Sequence, residues 1–465
     1  MAVWSVVNNS LVNHHSGRID AEYYKTESLQ AYDYVKKGNY KLLGQLAKEG
    51  YRVVYENTKI LKPEKVDEQR DVRFLQATNV SDDGLWIEPK EIGFVSGKDW
   101  GKYPKGRIKH GELLIEVKGQ AEKVTIVQDY MPMRTLVTGT LYKLTVDEKK
   151  VSPEYIFAYF SCKYGKILRD RTKVNTLISY VSKPELYNIP IPIFEESIDE
   201  ISSIIRESYR LSALSHSLYH QAETILAQEL QLDQLKLPNK KWYTTDYCEV
   251  IGNGRCDGEY YQPKYKKLMQ HLSKFNCRSL GSLCDFIKGF EIGSSSYKDH
   301  GKLFMRVSNI SENGIQMSNS DKHISDSDFQ RLKPFQIEKG DVLCTKDGTI
   351  AMCYVIDEDI EGIYSSGIVK LSLNKDIPAE YLAIVINSVF GKMQANRDCS
   401  GALITHWKIG SMKKIQIPII SDASMNSIAD FVCQSKAAKR QSKQLLSQAK
   451  HRVEELIEQE ANKYK

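Results

Sequence analysis

No stretch of this chain is apolar enough for long enough to enter a bilayer. The most apolar run, Tyr381 to Phe390, is interrupted by Asn387 and Ser388 and falls well short of the roughly 18 residues a span requires. The start, Met1 to Asp20, offers neither a basic leader nor a sustained apolar segment, so no secretory signal is read there and a cytoplasmic location is expected. Glycine and proline are sparse, 28 and 13 in 465 residues, which excludes collagen-like, mucin-like and largely disordered chains. Cysteine is odd in number, nine, and scattered, which reads as reduced buried thiols and not as a disulfide framework. Cys248, Cys256, Cys277 and Cys284 with His271 contain no C-x-x-C pair and match no familiar zinc spacing, so no metal is expected. Gly252-Asn253-Gly254 lacks the third glycine of a dinucleotide loop, and neither a Walker A loop nor a G-x-S-x-G elbow occurs. An excess of one charge is also missing. Lys+Arg 65 against Asp+Glu 59 leave +6, compatible with a nucleic-acid partner without demanding one.

What the chain does have is a repeat. Arg18-Ile19-Asp20-Ala21-Glu22-Tyr23-Tyr24 returns 237 residues later as Arg255-Cys256-Asp257-Gly258-Glu259-Tyr260-Tyr261, and Leu43-Gly44 as Leu280-Gly281. At an offset of 230, Phe74 to Ser81 with Gly84 matches Phe304 to Ser311 with Gly314. Gly111-Glu112-Leu113-Leu114 then pairs with Gly340-Asp341-Val342-Leu343 at 229. Glu154-Tyr155 with Glu380-Tyr381, Gly165-Lys166-Ile167 with Gly391-Lys392-Met393, Leu177-Ile178-Ser179 with Leu403-Ile404-Thr405, and Ile191-Pro192-Ile193 with Ile417-Pro418-Ile419 all follow at 226. A collinear series with slowly drifting offset implies duplication of a unit of roughly 220 residues.

Each half opens with short β-like runs broken by turn signals: Val72 to Val80, Glu112 to Val117 and Val124 to Val127, then Leu303 to Ile310, Asp341 to Thr345 and Met352 to Ile356. Pro153 to Lys166 and Pro378 to Met393 have helical spacing with a proline near the first turn. Each half closes with a long helix carrying a three-four stripe. Its apolar seam is Ile204, Leu211, Leu218 and Ile225 in the first, and Ile428, Phe431, Leu445, Val453 and Leu456 in the second, with Ser208, Ser215, Ala222, Ser435, Ala438, Ser442 and Ala449 interspersed. Small seam residues let two backbones approach closely, and two such helices in one chain can pair with each other, antiparallel by preference. A helix of about 35 residues measures roughly 50 Å. The alternative is that each helix packs only on its own globular domain.

The Arg306-Val307-Ser308-Asn309-Ile310 strand with Asn313-Gly314, the Gly340-Asp341-Val342-Leu343 run into Lys346-Asp347-Gly348-Thr349, and the Ile415-Gln416-Ile417-Pro418 entry to the last helix resemble the specificity subunit of type I restriction-modification enzymes, a phage-defence system. The resemblance spans nearly the whole chain and is best in the second half. In the first, Val117-Lys118-Gly119-Gln120 replaces Lys346-Asp347-Gly348-Thr349, and Gln76 replaces Arg306. It implies an α+β fold of two homologous mixed target-recognition domains separated by two long helices in an intramolecular antiparallel coiled coil. The divisions are 1–194, a first spacer helix 195–235, 236–420, and a second spacer helix 421–465. It also implies a chain that is not itself an enzyme. Each domain reads one half of a split, asymmetric double-stranded DNA site, while two methyltransferase subunits and then restriction/translocase subunits assemble on it. S-adenosylmethionine belongs to the methyltransferase partner, ATP and magnesium to the restriction partner. The Asn-Pro-Pro-aromatic string of an adenine methyltransferase that does its own catalysis is absent.

Base reading needs Arg, Lys, Asn or Gln at base edges, and phosphate binding needs cations, hydroxyls and backbone N–H groups. Loops are the place to look. After the first-half helix, Arg169, Arg171, Lys173, Asn175 and Thr176 are candidates. Their second-half counterparts are Arg397 and Ser400, extended by His406, Lys408, Lys413 and Lys414. Lys102, Lys105, Arg107 and Lys109 make another basic loop, and Lys346 and Thr349 flank a glycine turn. Asn79 and Asn309, repeated in both halves, are assigned to the fold instead. Two other readings stand beside this one: a coiled-coil adaptor whose halves bind proteins, and a magnesium-dependent nuclease using Glu116 and Lys118. Against the nuclease, Glu116 falls opposite Thr345 and Lys118 opposite Asp347 in the repeat.

Overall fold

A computed structural model describes residues 7, 18–174, 179–240, 242–312, 314–318, 320–374, 376–401 and 405–463. It divides into two compact units, Met1–Ala213 with Lys439–Lys465, and Leu214–Ala438.

In the first unit the strands are β1 (Tyr40–Leu42), β2 (Ala47–Tyr51), β3 (Val72–Leu75), β4 (Gly93–Val95), β5 (Leu113–Glu116), β6 (Val124–Ile126), β7 (Thr135–Val137), β8 (Leu141–Val146) and β9 (Pro190–Pro192). They form an antiparallel sheet β2-β8-β5-β6, a three-stranded sheet β4-β3-β7 in which β3 and β7 run parallel, and a pair β1-β9. The second unit has β10 (Cys277–Ser279), β11 (Cys284–Lys288), β12 (Lys302–Met305), β13 (Lys322–Ile324), β14 (Val342–Thr345), β15 (Cys353–Val355), β16 (Gly362–Tyr364), β17 (Ile368–Leu373) and β18 (Gln416–Pro418). Its sheets are β11-β17-β14-β15, β13-β12-β16 with β12 parallel to β16, and β10-β18. These three sheets have the same order in both units; the first unit adds a short pair, Lys118–Gly119 with Ser179–Tyr180, and the second adds Ile310–Ser311 with Gly314–Ile315. The duplication seen in the sequence is a duplicated topology.

The helices repeat too: α1 (Thr26–Lys37), α2 (Pro153–Ser161), α3 (Lys163–Thr172) and α4 (Glu195–Glu229), then α5 (Pro263–Leu272), α6 (Ala379–Asn387), α7 (Val389–Asp398) and α8 (Asp422–Asn462). Helix α2 starts where Pro153 gives up no needed N–H and Ser152 accepts from the Tyr155 N–H. It buries Tyr155, Phe157, Tyr159 and Phe160 in the first core, which includes Leu113, Ile115 and Leu144. Full burial of such a side chain stabilises by about 1.5–3 kcal/mol. The phenol oxygens are satisfied by donating to strand carbonyls: Tyr155 to Pro192 O at 2.8 Å, and its counterpart Tyr381 to Pro418 O at 2.7 Å.

Three expectations need correction. The helices expected over Pro153 to Lys166 and Pro378 to Met393 are each two helices, because Cys162 and Ser388 are extended, with ψ of 168° and 170°. The chain then folds back so closely that a Cβ on Gly165 would sit 1.9 Å from Tyr159 O, and one on Gly391 2.2 Å from Ile386 O. The strands expected to reach Val80 and Ile310 stop at Leu75 and Met305. There the buried Asn79 and Asn309 side chains accept from the Gln76 and Arg306 N–H groups, both at 2.9 Å, and close short 3-10 turns. The seam is also displaced. Leu211, Leu218, Ile428 and Val453 are buried, but Ile204, Ile225, Phe431, Leu445 and Leu456 are half-buried, and their neighbours Ile205, Leu226, Val432, Leu446 and Ile457 take the inner positions. Each helix packs on a globular core as well as on the other helix, so its buried face is broader than a coiled-coil stripe and is centred one residue later.

The two long helices pair antiparallel inside each unit. In the first, Ser208 Oγ donates to Ser442 O at 2.8 Å and Ser442 Oγ to Ser208 O at 2.7 Å, while Glu200 meets Arg452. In the second, Ser435 Oγ donates to Ser215 O at 2.7 Å, and Ser424 Oγ donates to Glu229. Hydroxyls that reach the opposing backbone need backbones in near contact, which is what serine at these positions allows. The units accordingly part within the helices, between Ala213 and Leu214 and between Ala438 and Lys439, whereas the sequence reading drew its limits at the helix ends. Each core takes its own share of both.

Candidate nucleic-acid interface

The repeated Arg-x-Asp-x-Glu-Tyr-Tyr string forms a clamp on the end of a helix. Arg18 is held by Asp20, lies 4.6 Å from the Tyr23 ring centre, and donates to Thr172 O and Lys173 O at 3.1 and 2.8 Å. Arg255 does the same with Asp257 and Tyr260, donating to Asp398 O and Cys399 O at 3.2 and 3.0 Å. A cation at these orphan C-terminal carbonyls satisfies them and complements the helix dipole. Tyr24 and Tyr261 complete the clamps by donating to Arg18 O and Arg255 O.

The clamp fixes where the polar loop after α3 or α7 begins, and a hairpin fixes where it returns. In the first unit the Val174 N–H donates to Tyr180 O and the Val181 N–H to Val117 O, both at 2.9 Å, with Tyr180 opposite Lys118 and Ser179 opposite Gly119. In the second, the Ser400 N–H donates to His406 O at 2.9 Å and the Trp407 N–H to Lys346 O at 2.7 Å, with His406 opposite Asp347. One backbone frame thus occurs twice. Glu116 closes the first hairpin by accepting from the Glu122 and Lys123 N–H groups. Thr345 closes the second by accepting from the Met352 N–H. The Glu116 carboxylate is buried against its own turn, a structural role that the nuclease reading would have to displace.

The predicted residues divide by environment. Arg169 and Arg171, expected on a loop, are buried in α3. Arg169 donates to Glu122 O and Phe160 O, and Arg171 donates to Tyr23 O and lies 4.1 Å from the Tyr23 ring centre. Burial pushes the Arg169 guanidinium down to about 10. Both hold the fold and leave the DNA-contact set. Lys173 is half-buried against Asp170 at 2.6 Å, and Arg397 pairs with its neighbour Asp398 at 2.7 Å. Asn175 and Thr176 lie outside the described residues. Ser400, Lys408, Lys413, Lys414 and Thr349 are exposed. Lys346 and His406 both reach Asp347, at 2.5 and 2.8 Å. Burial alone would raise the Asp347 carboxyl, but the hydrogen bonds from Lys346 and His406 hold it below the usual carboxylate range.

Lys105, Arg107 and Lys109 line a first-unit cleft of about 450 Å³ with Tyr51, Trp100 and Met133. Arg107 lies 4.3 Å from the Trp100 ring centre and donates to Trp100 O, Lys105 lies 4.4 Å from that of Tyr51, and Lys109 pairs with Glu49. Exposed Lys102 donates to Glu56 O at 3.2 Å. Sequence reasoning found these cations but missed the rings beneath them, and it missed Arg52 and Tyr180; it set Lys118 opposite Asp347 but read neither as facing the loop. The signal available for Tyr180 was the same repeat offset, which carries it to His406.

His271 is buried, shares a hydrogen bond with Leu230 O at 2.7 Å and stacks on Phe390. Among the described residues no three His, Cys, Asp or Glu side chains gather as a metal site, and no helix is long and apolar enough to cross a membrane.

Among solved structures, the chain is similar to a type I restriction-modification system S subunit from M. genitalium, over 91% of this chain and 95% of that one, at 13% identity and a TM-score of 0.41. It is similar at 13% identity to a structure described as underlying complex assembly and conformational transition of the type I R-M system, with coverages of 91% and 97% and a TM-score of 0.29. An HsdS subunit from Thermoanaerobacter tengcongensis matches at 13% identity, coverages of 91% and 96%, and a TM-score of 0.28. No family model and no curated protein matches it.

Proposed function

We propose that this chain is the DNA sequence-recognition subunit of a type I restriction-modification complex, reading a bipartite, asymmetric duplex site and performing no chemistry itself. The observation that carries the reading is the double occurrence of one topology, each copy presenting a clamped helix end and a pinned hairpin and each packed on its own stretch of the same two antiparallel helices. Two similar but non-identical surfaces on one polypeptide suit two different half-sites, as dimeric binders suit two identical ones. In each unit exposed cations hold phosphates, and the hairpin and the loop beside it meet base edges, so that position and sequence are read by different side chains. Two methyltransferase subunits dock on this chain and methylate adenine with the S-adenosylmethionine they bind. Restriction/translocase subunits join with ATP and magnesium.

The test is binding of duplex DNA by the assembled complex across a salt series. Phosphate contacts make log K fall with log salt at about −0.9 per contact, and the proposal expects that slope together with strong preference for one split motif. Equal affinity for every sequence refutes it. The adaptor reading predicts no salt-dependent DNA binding at all.

A further inference from the structure

The two hairpin-and-loop frames share every backbone bond named above, yet they differ in the side chains those bonds carry. Tyr180 and His406 occupy the same place: each is bridged on one side to the loop start, Val174 or Ser400, and on the other to the hairpin, Lys118 or Asp347. Backbone bonds do not depend on side-chain identity, so this frame tolerates substitution without losing its shape. The surrounding structural residues behave in the opposite way. Arg18 and Arg255, Asp20 and Asp257, and Tyr24 and Tyr261 keep both identity and bonding partners, and Asn79 and Asn309 keep their identity and the cap bond. The conserved residues hold the frame, and the changed ones stand on it.

Each changed ring is also oriented, by a different means in each unit. Tyr180 lies 5.1 Å from the Arg52 guanidinium, which is itself fixed by donating to Gly139 O at 2.8 Å. In the second unit the strand register puts the exposed Lys288 at the position of Arg52, because the bulge between Ala47 and Glu49 has no counterpart there. His406 is held instead from across the bridge: its Nδ1 donates to Asp347 Oδ1 at 2.8 Å. The ring is 54% exposed, and with Nδ1 engaged its second nitrogen, Nε2, is the polar atom it has to offer.

Resting on the DNA reading above, we infer that the cross-strand positions 118, 174 and 180, and their counterparts 347, 400 and 406, are where the two units diverge in base preference. Tyr180 and His406 are the reading side chains, and Asp347 is the positioning residue for His406. Exposed Lys118 offers a donor suited to the guanine O6 and N7 acceptors, while the second unit has a carboxylate-anchored imidazole at this level. The half-sites differ because the same frame carries different donors and acceptors.

The experiment uses the full chain coexpressed with its methyltransferase partner, with methylome sequencing as the readout. The triple variant K118D/V174S/Y180H transplants the second frame's side chains into the first unit. Methylation of a motif altered only in one half-site supports the inference, and an unaltered motif at full methylation overturns it. If the parent complex methylates no defined split motif, the DNA reading fails instead, which keeps the two failures apart. Should the triple variant not fold, three single variants decide. H406A and D347A are expected to relax one and the same base pair of the second half-site by about tenfold in discrimination. D347N, which keeps an oxygen for the Nδ1 donor, is expected to restore it. Loss spread evenly over all positions, or D347N behaving like D347A, makes Asp347 merely structural and overturns its positioning role.

Discussion

Ser208 on α4 tests most sharply how the first unit is held together. Its hydroxyl is fully buried and donates to Ser442 O, the Ser442 hydroxyl donates back to Ser208 O, and the two oxygens lie 3.3 Å apart. Ser208→Ala removes one of these bonds, worth about 0.5–1.5 kcal/mol net, and leaves almost no cavity. Ser208→Leu instead forces a branched side chain into a seam where the backbones nearly touch, at a cost of about 1–3 kcal/mol beyond the lost bond. For a unit of this size each kcal/mol lowers the melting midpoint by about 2–4 °C. The alanine variant should therefore melt about 1–6 °C lower, and the leucine variant further still. Ser203→Leu, on the exposed face of the same helix, should stay within about 0.5 kcal/mol of the parent. A Ser208/Ser442 double-mutant cycle by denaturant melting should give a coupling of about 0.5 kcal/mol or more. Additive single effects, or a leucine variant as stable as the Ser203→Leu control, would falsify the paired-helix seam.

The tight helix reversals make a second target. Gly165→Ala and Gly391→Ala each drive a Cβ into a carbonyl oxygen and are expected to destabilise by about 3 kcal/mol or more, visible as lost soluble yield and a lowered urea midpoint. Asn309→Ala removes the acceptor for the Arg306 N–H and the donors to Gln316 O and Asp321. It should cost about 2–4 kcal/mol through buried groups left unpaired, and Asn309→Asp should recover only the N–H bond. A fourth prediction concerns acid. Burial would raise the Asp83 carboxyl, but Lys439 and bonds from Ser81 Oγ and the Leu85 N–H hold it below its ordinary value. A carboxyl depressed on folding stabilises above its unfolded pKa of about 3.9 and loses that contribution as pH falls through the folded value. The stability gap between parent and Asp83→Asn should therefore be full at pH 7 and close below about pH 4. A gap that stays constant or widens as pH falls contradicts the sign.

Legibility from sequence followed the kind of interaction involved. The duplicated topology was readable because the clamp Arg18/Arg255, the caps Asn79/Asn309 and the reversals Gly165/Gly391 need particular residues, and such residues recur at fixed offsets. Even so, the offsets did not say what these residues do: Asn79 ends a strand that periodicity alone prolongs, and Gly165 marks a chain reversal that helical spacing runs straight through. The seam was displaced because a stripe shows which face is apolar but not how many neighbours share it. Arg169 and Arg171 misled because a cation-rich stretch looks like a loop. Only the helical continuation from Lys163 to Thr172 turns both guanidiniums inward, where carbonyls from Phe160, Glu122 and Tyr23 receive them. Pairings such as His406 with Asp347 join residues 59 apart through backbone bonds that leave no pattern in the side chains.

Replacing residues 40–190 with the corresponding segment of another recognition domain, followed by methylome sequencing of cells that carry the whole complex, puts the division of labour to direct trial. A split methylated motif in which one half-site changes and the other is retained is the predicted result. Simultaneous change of both half-sites, or methylation indifferent to the exchange, would mean that the two units do not read DNA separately.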